Sequence, residues 1–188
     1  MTESGGAEGN ERLTALTGAV LLIPLAVECY TILRIGRLLT LHVLLGMLLL
    51  GPVTLKAASV IYRFARYYTR SEPYRRKGPP APLLRLIGPI IVLLTACVFG
   101  SGIMLAVAGP SYGPPSGWLV VHRISFFAWI FFIAIHVVAY LPRLPMLLSA
   151  GAHGIGGRSI RLALLIASLL GGLVIALLTV HLAGAWEP

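Results

Sequence analysis

The sequence predicts an all-α integral membrane protein, a helical bundle of five transmembrane helices without a separate soluble domain. Three observations predict it. Apolar runs recur along the whole chain, each near the roughly 20 residues a helix needs to cross a bilayer. Of 188 residues, 57% are hydrophobic and 11% charged, with a mean hydropathy of +0.90, outside the range of soluble domains. The charges that remain gather in short connections between the runs, where Lys and Arg set topology and meet anionic lipid.

The opening MTESGGAEGNER is acidic and Gly-rich. It lacks the basic segment of a signal peptide, so residues 1–12 are expected to be a disordered tail and 13–186 the bundle. The first span runs from Leu13 to Leu33 and holds Pro24 and Glu28. Arg34 to Leu38 connects it to the second span, Leu39 to Tyr62, with His42, Gly46, Gly51, Pro52 and Lys56. Pro52 is expected to bend that helix. Its helical continuation to about Tyr68 enters a basic stretch, Arg63 to Arg85, which carries Arg63, Arg66, Arg70, Arg75, Arg76, Lys77 and Arg85. Tyr67, Tyr68 and Tyr74 in it suit a headgroup boundary, and Gly78-Pro79-Pro80 stops any continuation.

The third span, Leu86 to Ala108, contains Gly100-Ser101-Gly102, small residues that let helices approach closely. After the turn formers of GPSYGPPSGW, the fourth span occupies Leu119 to Leu141. A Gly- and Arg-rich connection leads to the fifth, Leu162 to Leu182, and His181 and Trp186 lie at its end. With the N-terminus inside, 11 Lys or Arg fall on the cytoplasmic side and 3 outside. That asymmetry predicts a multi-pass protein of the plasma membrane, N-in and C-out. A net charge of +9 distributed this way speaks for lipid and against nucleic acid. Cys29 and Cys97 lie within spans and behave as small hydrophobes.

The chemistry concentrates in the histidines. The fourth span reads VVHRISFFAWIFFIAIHVVAY, with His122 and His136 fourteen residues apart. On a helix that spacing turns about 1400° and rises about 21 Å, so both imidazoles share one face at different depths. Ionisable residues inside a bilayer are expensive and point to function. The expected topology puts His42, His122 and His181 at the outer level, His136 deeper, and His153 in an inner loop.

A single histidine in a span ordinarily bonds one helix to another. Two on one face, with a third at matching depth, instead favour axial ligation of haem by imidazoles from facing helices. His42 and His122 make the expected outer pair, with His181 as competitor. Gly46, one turn after His42, and Gly51 offer a surface on which a flat macrocycle can lie against backbone. Three readings of His136 stand side by side: a ligand partnered by another subunit or His153, a ligand alone or opposite a weak one, or a bundle histidine without metal. Fourteen residues after His42 stands Lys56, a candidate for a haem propionate or an anionic quinone, or else a snorkelling side chain. Arg123, beside His122, is a candidate for an outer propionate. Glu28 is read as a proton-exchanging group, or else as a carboxyl kept neutral by burial or paired with Arg34 or Arg37.

Histidines fourteen apart on one apolar helix, and an earlier histidine followed by glycine, resemble the cytochrome b561 and hydrogenase/formate-dehydrogenase cytochrome b superfamily. LHVLLGMLLLGPVTLKAASVIYRFARYYT and EPYRRKGPP are similar to small actinobacterial membrane proteins of this kind. The resemblance covers residues 39 to 141. It implies one or two b-type haems, His42, His122 and His136 as iron ligands, and electron transport between quinone and a redox partner. Lys56 departs from a two-haem pattern. No triad, paired carboxylates or nucleotide fingerprint occurs, and Gly154 to Gly157 follows no strand. The chain is therefore expected to be an oxidoreductase subunit or a stand-alone carrier, alone or in a homo- or hetero-oligomer. The competing expectation is a cofactor-free scaffold or transporter-like subunit with structural histidines.

Overall fold

The structure, a computed structural model, describes residues 4–76, 78, 82–112, 117–149 and 157–186. Among them are five helices long and apolar enough to cross a membrane, and no strand. We label the helices α1 (Ser4–Leu33), α2 (Ile35–Tyr68), α3 (Glu72–Arg76), α4 (Pro82–Ala108), α5 (Gly117–Tyr140), α6 (Leu144–Ser149) and α7 (Arg158–Thr179). Turns of 3₁₀ helix follow α4, α5 and α7. A helix keeps every backbone hydrogen bond within its own segment, which is what a chain surrounded by hydrocarbon requires.

The helices pack as two bodies. α2 lies between α1 and α7, and α4 pairs with α5. The α4–α5 pair meets the other three helices only lightly, through α2 and the 3₁₀ turn Val180–Trp186. Large apolar side chains such as Leu33, Leu86, Val138 and Leu178 face outward. Beside Leu21, Leu49 and Ile87, many of the deeply buried residues are small and often polar: Thr17, Thr31, Ser59, Ser101, Ser125 and Ala176. Lipid tails are as apolar as leucine, so close contact and internal hydrogen bonds hold such a bundle.

Contact is closest where α2 crosses α7. A Cβ added to Gly51 would run into the Ser168 carbonyl, and one added to Gly172 into the Leu48 carbonyl. Pro52 explains part of this crossing. It has no amide hydrogen, so the carbonyl four residues earlier, that of Leu48, has no helical donor. Gly172 lies against that same carbonyl. α2 keeps helical backbone angles through Pro52 and departs from them at Leu38 (φ −118°, ψ 19°). There the chain has just turned out of α1, with the Leu38 and Arg37 amides both donating to the Arg34 carbonyl. Gly51, expected on a face toward the fourth span, faces α7.

The segment expected to be a tail is helical from Ser4. Its polar residues bind α2: Asn10 Nδ2 donates to the Ser59 carbonyl at 3.0 Å, and Ser59 Oγ donates to Asn10 Oδ1 at 2.6 Å. At the same end, α2 stops at Tyr68 and the chain reverses through Arg70, whose φ of 63° is left-handed. Arg85 opens α4 with its guanidinium over the rings of Tyr67 and Tyr68. Arg66 lies over Tyr74, whose phenol is pushed to a higher pKa by burial. This end also carries Arg63, Arg75, Arg143 and Arg158, and is called the basic end below.

Candidate functional site

At the end opposite the basic one, His42 of α2 and His122 of α5 face each other. Their ring centroids are 6.3 Å apart and their planes lie at 85°. Each ring is held through Nδ1. His42 Nδ1 is 2.9 Å from Glu28 Oε1 and 2.9 Å from Thr31 Oγ1. The Thr31 hydroxyl donates to the Glu28 carbonyl at 2.6 Å, so its oxygen and the carboxylate both accept from His42 Nδ1–H. His122 Nδ1 donates to the Val98 carbonyl at 3.0 Å and lies 3.1 Å from Ser101 Oγ. A carbonyl can only accept, so this Nδ1 bears the hydrogen.

Both rings therefore take the tautomer that leaves a lone pair on Nε2, and neither Nε2 has a hydrogen-bond partner among the described residues. Fixing Nδ1–H on an acceptor is how proteins orient a metal-bound imidazole and raise its basicity.

The local sequence explains each placement. Glu28 and His42 stand seven residues before and seven after Ile35, so the α1–α2 hairpin brings them to one depth. Gly46, one turn beyond His42, lies beside the carboxylate: an added Cβ would sit 3.5 Å from Glu28 Oε1, an ordinary van der Waals contact. Across the gap, a Cβ on Gly102 would be 3.2 Å from His122 Cε1, so glycine there admits the ring. Farther along the same pair, Trp129 Nε1 donates to Thr95 Oγ1 at 2.9 Å and stitches α5 to α4.

Toward the basic end α2 and α5 each carry a further polar side chain, Lys56 and His136. Lys56 Nζ donates to the Thr14 carbonyl at 3.0 Å, and glycine at position 18 leaves room for the ammonium. The lysine thus turns into the bundle toward α1. His136 is within electrostatic reach of Lys56. Its ring lies 4.6 Å from that of Tyr140, and its Nδ1 is buried without a hydrogen-bond partner.

The structure thus brings together His42 and His122, while Lys56 is bonded to Thr14 of α1. Gly46 lies against Glu28. His181 and Arg123 are exposed and take no part in either pair. His153, Lys77 and Gly154 to Gly156 lie outside the described residues. Glu28 pairs with His42 and not with Arg34 or Arg37, which are exposed. Thr31, Ser101, Val98 and Gly102 are site residues that sequence reasoning did not single out as such. No cluster of three or more His, Cys, Asp or Glu able to hold a metal occurs among the described residues. Cys29 and Cys97 are free thiols.

Two imidazoles placed in this way are the donor set that axial ligation of a flat metal macrocycle requires. Imidazole–metal bonds of about 2 Å put the centres of two rings on opposite sides of one ion about 6 Å apart, which matches the observed separation. α5 packs on α4 and scarcely on α2. Comparison of the chain with protein-family models, with curated proteins and with solved structures returns no match.

Proposed function

We propose that the chain is a b-type haem protein of the membrane that relays electrons between a lipid-soluble quinone and a redox partner. His42 and His122 are the axial ligands. The single observation that carries this reading is the opposed pair of imidazoles, each tied down at Nδ1 and open at Nε2. Haem iron between two imidazoles supplies one-electron transfer without bond making at the metal.

The chain's own residues do the rest. Glu28 and Thr31 orient His42, Val98 and Ser101 orient His122, and the surrounding apolar helices exclude water. One haem is assigned, because His136 has no second histidine at its level among the described residues. The membrane is read as the plasma membrane with the basic end cytoplasmic, by the distribution of Lys and Arg. Arg123 adjoins the site in sequence and is the nearest cation on α5 for a propionate.

A second reading rests on the same contacts. Glu28, Thr31, Ser101 and Val98 already satisfy both Nδ1 atoms, so the histidines could simply join the two helix bodies of a cofactor-free scaffold. Pyridine-haemochrome assay of protein expressed with haem supplied separates the two. One haem per chain, lost in His42→Ala and in His122→Ala but kept in His181→Ala, is expected. A colourless wild-type protein would refute haem binding.

A further inference from the structure

From Arg63 to Arg85 the chain carries seven Arg or Lys against one carboxylate, Glu72, which pairs with Arg76. The other arginines of this stretch form no ion pair among the described residues. Positive charge between spans sets topology without needing a fixed geometry. Arg85 has one. Its guanidinium lies 5.9 Å from the centre of the Tyr67 ring and 5.5 Å from that of Tyr68, within cation–π reach. Its Nη2 donates to the Tyr68 hydroxyl. The Tyr67 and Tyr68 rings meet edge to face at 5.2 Å, and the Phe64 ring lies 4.5 Å from that of Tyr68. Two rings of α2 thus fix a cation supplied by α4. A guanidinium laid on rings loses little freedom on binding, and its in-plane N–H groups keep the fork that fits a phosphate.

We propose that Arg85, Tyr67 and Tyr68 form a binding site for the phosphate of an anionic phospholipid. Depth and charge select that ligand. Arg85 immediately precedes the third apolar span, and Tyr67 and Tyr68 end the helix that carries the second. The cluster therefore lies where apolar spans give way to polar chain, the level of the headgroups. Arg70 adds a cation just past Tyr68, at a left-handed φ of 63° that glycine would adopt more easily. A zwitterionic lipid brings the same phosphate with a cation of its own, which this basic end repels. A soluble phosphate gains nothing from Phe64 and Tyr68, whose rings are half exposed and suit the glycerol and upper acyl region of a lipid. The inference rests on the chain spanning a membrane and does not need haem to be present.

The test is native mass spectrometry of detergent-purified protein titrated with phosphatidylglycerol and, separately, with phosphatidylcholine. The first phosphatidylglycerol is expected to bind about fivefold or more tighter than phosphatidylcholine. Arg85→Gln should lower that affinity about fivefold or more, and so should Arg85→Lys, which keeps the charge but not the planar fork. Arg75→Gln removes the same charge from an exposed arginine that lies over no ring among the described residues, and should change the affinity by less than about twofold. His42→Ala should bind lipid as wild type does, so a failure of the haem assignment leaves this result standing. Thermal unfolding identifies any Arg85 variant that fails to fold, and Tyr68→Leu, expected to weaken binding likewise, then reads the site. Equal affinity for the two lipids, wild-type affinity in Arg85→Lys, or equal losses in Arg75→Gln and Arg85→Gln would overturn the proposal and leave only diffuse charge. Displacement of the bound lipid by glycerol phosphate at equal concentration would assign the cluster to a soluble phosphate and overturn the lipid assignment.

Discussion

Replacing Glu28 by glutamine separates a ligand-orienting carboxylate from a merely structural one, because the two roles predict changes of opposite sign. In the structure one carboxylate oxygen accepts from His42 Nδ1–H at 2.9 Å, while the other, Oε2, is buried with no partner. Glutamine keeps an acceptor of the same reach but removes the charge. A hydrogen bond to a charged group contributes about 1.5–3 kcal/mol, and one between neutral groups about 0.5–1.5. The difference, about 1–2 kcal/mol, corresponds to a loss of haem affinity of roughly five- to thirtyfold. That agrees with the tenfold to hundredfold typical of residues behind a metal-bound histidine.

Stability of the haem-free protein should move the other way. A half-satisfied buried carboxylate opposes folding through desolvation, so the Glu28→Gln protein should unfold at the same temperature or higher. The assay is absorbance titration of haem into haem-free protein, alongside thermal unfolding of the same preparation. Equal loss of stability and haem affinity, or unchanged haem affinity, would refute the reasoning and leave the pair as a structural contact.

Four further outcomes follow from the packing. Gly51→Ala and Gly172→Ala should each destabilise the protein by about 1–3 kcal/mol or more, since backbone has little freedom to retreat. The double variant should lose less than the sum, because both methyl groups force the same separation of α2 from α7; thermal melts of the three variants test this. Ser101→Ala leaves Val98 as the acceptor for His122, so haem affinity should fall only a few-fold, by about 1 kcal/mol or less. Gly102→Ala presses on the His122 ring from 3.2 Å and should shift the haem absorption bands without abolishing binding. Trp129→Phe should lower the unfolding free energy by about 0.6–2 kcal/mol through loss of the Thr95 bond, with haem content unchanged.

Much of this fold is legible because a bilayer simplifies the physics. Segment length and apolarity fix the five spans, and the ends at Leu33, Tyr68 and Ala108 coincide with those read from the sequence. The start of α1 was not legible. Gly-rich and acidic, residues 4–12 look like a tail, and only the Asn10–Ser59 bonds explain why they are helical. The packing at Pro52 was not legible either: local rules mark the freed Leu48 carbonyl, but not the Gly172 of α7 that lies against it.

The histidine pair was legible in type and depth, since spacing along α2 and α5 fixes both. Its supports were less so. Glu28 with His42, Thr14 with Lys56 and Asn10 with Ser59 all stand symmetrically about the Arg34–Ile35 turn. Counting outward from that turn would have found them. Ser101 and Gly102 appeared only as small residues permitting close approach, and nothing local marks a serine as the neighbour of an imidazole on the next helix. His181 shares the predicted level of the pair, yet depth alone does not set the direction of a side chain, and it lies exposed.

Electron paramagnetic resonance of the ferric protein, prepared with haem, tests the central claim most directly. Two imidazoles with planes at 85° predict a highly anisotropic low-spin signal that is lost when either His42 or His122 is replaced by alanine. A high-spin signal, a low-spin signal that survives both replacements, or no haem signal at all would contradict it.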